Sequence, residues 1–219
     1  MIPYGREWPS FVDEFGVSKE EAQKMVKGWL DTYPGARDYL QWAADAAVKG
    51  YYLETPFGRR RRAGLVTPDS LHAVQNEFRN FPIQSASSDT TLTAAMEIEG
   101  FVAEYEATIV NLVHDSIMFY VPAKKDVILN FGKRVHDLMV DVPRKLFGYR
   151  VPFESDTDIG FTWGDMVTIN YGNETVEWEE RIDGEKRLMS LPIDEWLEKE
   201  SAKVAHVYEA EWYKNLKTL

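Results

Sequence analysis

No cysteine occurs in the 219 residues. That removes disulfides, thiolate metal sites and a cysteine nucleophile, and it fits a reduced intracellular setting. No apolar run reaches membrane-spanning length, and the first residues carry no charged and apolar leader, so the expectation is a soluble, non-secreted, cytoplasmic protein with no membrane partner. Positive charge is scarce as well: 25 Lys and Arg stand against 36 Asp and Glu, a formal charge of −11. Acid outnumbers base both before and after residue 165. A module that held nucleic acid by overall charge would have the opposite sign. Any phosphate-binding surface must therefore be a focused patch, or be completed by another polypeptide. What the chain does have is apolar material, 44% hydrophobic residues with seven Trp, enough for one large domain or two small ones.

The most informative stretch is Thr108-Ile-Val-Asn-Leu-Val-His-Asp-Ser-Ile-Met-Phe-Tyr-Val121. Its two apolar runs, Ile109 to Val113 and Ile117 to Val121, are rich in β-branched and aromatic side chains, so each reads as a mostly buried strand. His114, Asp115 and Ser116 between them read as a hairpin tip. A carboxylate held there is rigid and aimed outward, which suits a ligand for a hard divalent cation. Asp and Ser are also ordinary turn residues, which is the plainer reading of the same triplet.

Earlier in the chain, Ser18 with Glu21 forms a capping-box pattern, and Ala22, Met25, Val26, Trp29 and Leu30 follow at helical spacing, predicting a helix over about 18–32. Tyr33-Pro34-Gly35 breaks it. A second helix then runs to Gly50, with Ala36, Tyr39, Leu40, Ala43 and Ala47 on its period. Tyr51 to Thr55, Pro56-Phe57-Gly58 and Arg59 to Arg62 read as a β-hairpin whose second arm, Arg59, Arg60, Arg61 and Arg62, is the strongest local positive potential in an acidic chain. Asn80-Phe-Pro-Ile-Gln-Ser-Ala-Ser-Ser-Asp89 predicts a helix opening there and running to about Tyr105. Asn80, Gln84, Ser87 and Thr91 share one stripe of it, and amides there can serve the nearly sequence-independent minor-groove atoms of a duplex. Val127, Phe131, Val135 and Leu138 mark a later helix, and Val151 to Phe161 a further strand. Beyond residue 165 the pattern predicts a hairpin around Ile182-Asp183-Gly184 and an acidic helix from about Ile193.

Taken together, these elements resemble the family A (Pol I-like) DNA polymerases over roughly residues 1 to 165. His114-Asp115 resembles that family's motif C, and Asn80-Phe-Pro-Ile-Gln84 its Asn-x-Pro-x-Gln element. Gly50-Tyr-Tyr-Leu-Glu-Thr-Pro-Phe-Gly-Arg-Arg-Arg61 resembles the segment between fingers and palm, and Gly160-Phe-Thr-Trp-Gly164 the short Gly-x-x-Trp ending. The resemblance implies an α+β fold: a polymerase palm with an antiparallel sheet and catalytic hairpin, partial helical fingers and an extra C-terminal subdomain. The corresponding divisions are 1–58, 59–165 and 166–219.

The resemblance also implies roles. Asp115 becomes a metal ligand and His114 its neighbour at the primer end. Tyr4 stands beside the templating base, and Arg59, Arg60, Arg61, Arg62, Asn80 and Gln84 hold DNA. Most members carry Arg four residues before the Asn of the Asn-x-Pro-x-Gln element; here that position is Asn76, and Arg79 is the adjacent alternative. The implied partners are primer-template DNA and a deoxynucleoside triphosphate. The implied cofactor is Mg²⁺, as two ions about 4 Å apart. One Asp115 cannot hold both ions. The expectation is therefore a split, phage-type polymerase working in the host cytoplasm, its second metal carboxylate (motif A) and nucleotide-binding lysine donated by a complementary polypeptide, and inactive without it. Ser116 follows the form of the single-subunit RNA polymerases, which leaves a fragment of that kind as one alternative. A non-catalytic scaffold with a retained palm is another.

Overall fold

The computed structural model describes residues 7–148 and 152–209. The chain divides into two compact units, Met1–Thr90 and Thr91–Leu219, with the boundary inside a long helix.

In the first unit, α1 (Trp8–Phe15) carries a proline in its first turn and ends at Gly16, whose left-handed φ of 63° lets its N–H reach Val12 O at 2.9 Å. The sequence reading did not anticipate this helix. α2 (Lys19–Thr32) begins at the expected capping box. The Glu21 N–H donates to Ser18 Oγ at 3.3 Å and the Ser18 N–H to Glu21 Oε2 at 3.0 Å, so two otherwise orphaned donors are satisfied reciprocally. The Ser18 N–H, together with the Ser18 hydroxyl that donates to Glu21 Oε2 at 2.8 Å, holds the Glu21 carboxyl below the usual carboxylate range. α3 (Pro34–Lys49) starts on a proline and stops at Gly50. It buries Ala43, Ala44, Ala46 and Ala47, a small-residue stripe that leaves room for bulkier neighbours. Leu53 and Phe78 fill that room, forming one apolar cluster with Ala43, Ala46 and Ala47.

Leu53 belongs to β1 (Tyr52–Glu54), which pairs antiparallel with β2 (Arg60–Arg62) in the register Tyr52↔Arg62, Leu53↔Arg61, Glu54↔Arg60. Phe78 belongs to α4 (Leu71–Glu99). This helix begins well before the expected start at Asn80 and ends short of Tyr105. Leu71, Val74, Phe78 and Phe81 already hold the helical period, and Pro82 lies inside the helix rather than at its first turn. At its far end the chain tightens into a 3₁₀ turn, Val102–Tyr105.

The second unit is organised around β3 (Thr108–Val113), β4 (Ser116–Tyr120) and α5 (Lys125–Phe147). Ile109, Ile117 and Phe119 pack from the hairpin onto Phe101 and Phe131, and the Phe119 and Phe131 rings meet edge to face at 5.0 Å and 85°. Next comes a four-stranded antiparallel sheet in the order β5-β6-β7-β8, formed by Asp158–Ile159, Val167–Asn170, Thr175–Ile182 and Glu185–Pro192. The strand expected over Val151 to Phe161 shrinks to β5, because β6 offers it only the pairs Asp158↔Thr168 and Ile159↔Val167; Val151 itself lies outside the described residues.

The β7–β8 hairpin turns at Asp183-Gly184, both at positive φ (55° and 84°), the two-residue turn whose twist matches paired strands. The acidic helix α6 (Ile193–Glu209) follows where the sequence placed it. Ile169, Val176, Ile193 and Trp196 from this C-terminal region share a buried cluster with Ile128 of α5, so the extension is built onto the unit's core. Tyr171 is accommodated the same way, its hydroxyl lying against Gly132 of α5. Burial pushes that phenol above its ordinary range.

Candidate active site

The hairpin tip is shorter than the triplet suggested. Val113 pairs with Ser116, leaving only His114 and Asp115 as loop residues. Ser116 begins β4 and closes the tip by donating from its Oγ to Val113 O at 2.8 Å. His114 takes a left-handed φ of 56°, uncommon outside glycine although His tolerates it better than most residues. A register shift between Ile109 and Asn111 bulges the chain at Val110, and the Leu112 N–H donates to Asn111 Oδ1 at 2.9 Å. A bulge turns the strand beyond it, and this one stands at the base of the tip. His114 and Asp115 are both exposed, on a ribbon fastened through Ile109, Ile117 and Phe119.

Chemically, the tip offers solvent one hard, ionisable oxygen donor in a fixed position beside an imidazole. Among the described residues no group of three or more His, Asp or Glu could hold a metal ion. Asp115 is the kind of oxygen donor that a hard divalent ion takes.

The candidate DNA-facing residues fall in the first unit, apart from Tyr4, which lies outside the described residues. Arg59 Nε donates to both carboxylate oxygens of Asp89, at 2.8 and 2.7 Å, and the Asp89 side chain is only 8% exposed. Arg60 Nε donates to Glu54 Oε2 at 2.5 Å, and its guanidinium lies 4.8 Å from the centre of the Tyr52 ring. Arg61 pairs with Glu77 of α4, and its Nε is buried. The hydrogen bonds from Arg59 to Asp89 and from Arg60 to Glu54 hold both guanidiniums above even the usual arginine range. Arg62 is exposed and makes no ion pair among the described residues.

On α4, Gln84 and Ser87 are exposed and Asn80 is half-buried, while Thr91 is 4% exposed; the stripe of polar residues therefore passes from solvent into the core. Arg79 folds back. Its Nε donates to Leu40 O at 3.3 Å and its Nη1 to Asn76 Oδ1 at 2.7 Å, while the Tyr39 hydroxyl donates to Arg79 O at 3.0 Å. Of the two expected positions, Asn76 and Arg79, the arginine is thus occupied within its own unit.

Sequence reasoning missed Asp89, Glu77, Glu54 and Tyr52, the residues that decide what each arginine does. For Glu54 and Tyr52 the only signal was the alternation of the hairpin arms, which assigns faces once the register is known; Asp89 and Glu77 lie on α4, where that alternation says nothing.

A family model described as DNA polymerase family A matches residues 1–165, the stretch that includes both the tip and the Asn80 to Gln84 element. Among curated proteins, the chain is 25% identical over 166 residues to DNA polymerase theta of Caenorhabditis elegans, covering 74% of this chain and 10% of that protein. It is 28% identical over 175 residues to DNA polymerase I of Treponema pallidum, covering 75% of this chain and 16% of that protein. The chain thus spans less than a fifth of the length of either relative. Among solved structures, it resembles the POL domain of Pol1 from M. smegmatis in complex with DNA primer-template and dNTP. That match has a TM-score of 0.56 and 25% identity over 64% of this chain and 25% of that one. The mixed helical and antiparallel fold thus resembles part of a Pol I polymerase domain. The chain belongs to DNA polymerase family A.

Proposed function

We propose that the chain forms the C-terminal fingers and palm portion of a template-directed DNA polymerase, adding deoxynucleotides to a primer 3′-OH. The observation that carries this reading is the exposed Asp115 at a two-residue tip, on a ribbon anchored to the core, inside the segment that matches the family. Asp115 would hold Mg²⁺, which when bound neutralises charge on the reacting phosphate and lowers the barrier to attack by the primer oxygen. His114 supports the primer end from the same tip. The β2 arm supplies positive potential for the DNA backbone, and Asn80 and Gln84 supply amide donors and acceptors for minor-groove atoms. Tyr4 lies beside the templating base.

In this reading another polypeptide donates the second metal carboxylate and a cation for the triphosphate. In this reading the chain is one part of a split, phage-type enzyme. The three functional segments are 1–58 (fingers), 59–165 (palm) and 166–219 (extension).

The test is primer extension by the chain reconstituted with its complementary polypeptide. Synthesis with deoxynucleotides, lost in Asp115→Ala and absent from the isolated chain, is the expected result. Undiminished synthesis by Asp115→Ala refutes the assignment. Preference for ribonucleotides moves the reading to an RNA polymerase.

A further inference from the structure

The C-terminal sheet ends on an open edge. In the order β5-β6-β7-β8, strand β8 has one neighbour, and among the described residues no other strand pairs with its far side. The opposite edge, β5, is only two residues long and offers almost no template. β8 runs for eight residues, Glu185–Pro192, without a break in register. A regular edge of that length presents a row of open N–H and C=O groups, which proteins pair, cover or blunt. The turn fixes which groups are open. Ile182 and Glu185 flank the two-residue turn and exchange both of their backbone hydrogen bonds, so by alternation the N–H and C=O of Lys186, Leu188 and Ser190 point away from β7. Their side chains share the face opposite Leu191, which packs against the extension's apolar cluster. Leu188, in the middle of the strand, is 68% exposed and belongs to none of the buried clusters. Lys186, the cation that would guard this edge, is already paired with Glu179 of its own sheet.

We infer that β8 pairs antiparallel with β8 of a second copy of the chain, across a two-fold axis at Leu188, joining the two sheets into one. These residues lie beyond the stretch 1–165 that matches the polymerase family, so the pairing is a property of the extension.

The strand's own sequence selects both the occupant and the register. A two-fold contact must set open backbone groups against open backbone groups. With the axis at Lys186 two ammonium groups would stand opposite each other, and with the axis at Arg187 two guanidiniums would. With the axis at Met189, Lys186 would face Pro192, which has no N–H to give. At Leu188 these conflicts vanish. Lys186 faces the second copy's Ser190, Arg187 its Met189 and Glu185 its Leu191, so no like charges meet. Lys186, Leu188 and Ser190 of each copy then all donate and accept across the seam. The two Leu188 side chains, each otherwise in water, cover one another on the axis.

The experiment is sedimentation velocity of the full chain from about 1 to 100 μM, the range suited to a contact as small as one strand pair. The parent passes from monomer to dimer across that range, and does so at lower concentration when salt screens the repulsion between two chains of charge −11. Leu188→Lys changes an exposed side chain and sets two ammonium groups face to face on the axis, weakening self-association by about 10-fold or more. Ser190→Pro removes an outward donor and no bond to β7, and weakens it likewise, whereas Ser190→Ala dimerises as the parent does. Because the chain lacks cysteine, Leu188→Cys carries a single thiol. Pairing on the axis sets the two Cα atoms about 5.5 Å apart, within disulfide reach, so air oxidation with copper phenanthroline gives a covalent dimer. Leu65→Cys, at a position 89% exposed in the first unit, stays monomeric under the same treatment. A parent that is monomeric throughout, a Leu188→Lys chain that associates as the parent does, or Leu65→Cys cross-linking as readily as Leu188→Cys overturns the pairing.

Discussion

Leu53→Ala isolates the contact that seats the arginine arm. Leu53 is 1% exposed and packs on Ala43, Ala46, Ala47 and Phe78. Its strand contributes only three register pairs, too few for a free hairpin to persist in water. Truncation removes three buried carbons, at about 0.8 kcal/mol each. A cavity term adds to this, because the neighbouring alanines are fixed on one helix and cannot close the gap. The total is about 3–4 kcal/mol. If the hairpin opens as a local unit, its open population rises by roughly 100-fold or more. Arg59 to Arg62 are then four successive sites for trypsin, and limited proteolysis followed by mass spectrometry reads the opening directly. Under conditions where closing outruns cutting, cleavage within this block accelerates by about the same factor. Leu53→Met, which nearly conserves volume, stays close to the parent. Cleavage of Leu53→Ala within about 3-fold of the parent would refute the idea that burial of this side chain, rather than the ion pairs to α4, holds the arm down.

Other sites give equally definite outcomes. Asp115→Ala leaves the melting temperature unchanged, since the residue is exposed, while abolishing synthesis by the reconstituted enzyme; differential scanning fluorimetry and primer extension read the two separately. Gly132→Ala destabilises by about 1–3 kcal/mol, because the added Cβ would lie 2.5 Å from the Tyr171 hydroxyl, and Tyr171→Phe in the same chain recovers much of the loss by removing that oxygen. Trp196→Ala, at a residue 5% exposed in the parent, costs about 3–5 kcal/mol and loosens the C-terminal extension first, visible as faster amide exchange in β6 and β7. Burial raises the Tyr171 phenol, so its contribution to stability is complete below the unfolded pKa near about 10 and is lost as pH rises through the folded value. Tyr171→Phe removes that part of the alkaline decline in denaturation midpoints.

Local chemistry carried much of this protein into view early. The Ser18 and Glu21 capping box, Gly50 as a helix stop, the Asp183-Gly184 turn and the start of α6 at Ile193 each depend on residues within a few positions of one another, so their signals survive in a one-dimensional reading. The hairpin around His114 and Asp115 was legible for the same reason, and the resemblance to the polymerase family rested on it, but its strands are not mostly buried as their composition suggested: Val110, Leu112 and Tyr120 are exposed. Where local signals competed, the reading slipped. Pro82 imitated a helix start although Leu71, Val74 and Phe78 were already helical, and the run from Val151 to Phe161 had strand composition but a partner for only two residues.

The sequence alone therefore determined α2, the end of α3, the start of α6 and the Asp183-Gly184 turn, that a carboxylate stands at a hairpin tip, and that cations are concentrated in Arg59 to Arg62, because these depend on spacing and side-chain type. Only the tertiary structure decided that the tip is two residues long, that Asp89 and Glu77 claim two of the four arginines, and that Arg79 turns inward. Those outcomes depend on strand register and on partners up to 40 positions away, and no spacing within a single segment encodes which distant carboxylate or carbonyl will meet a given guanidinium.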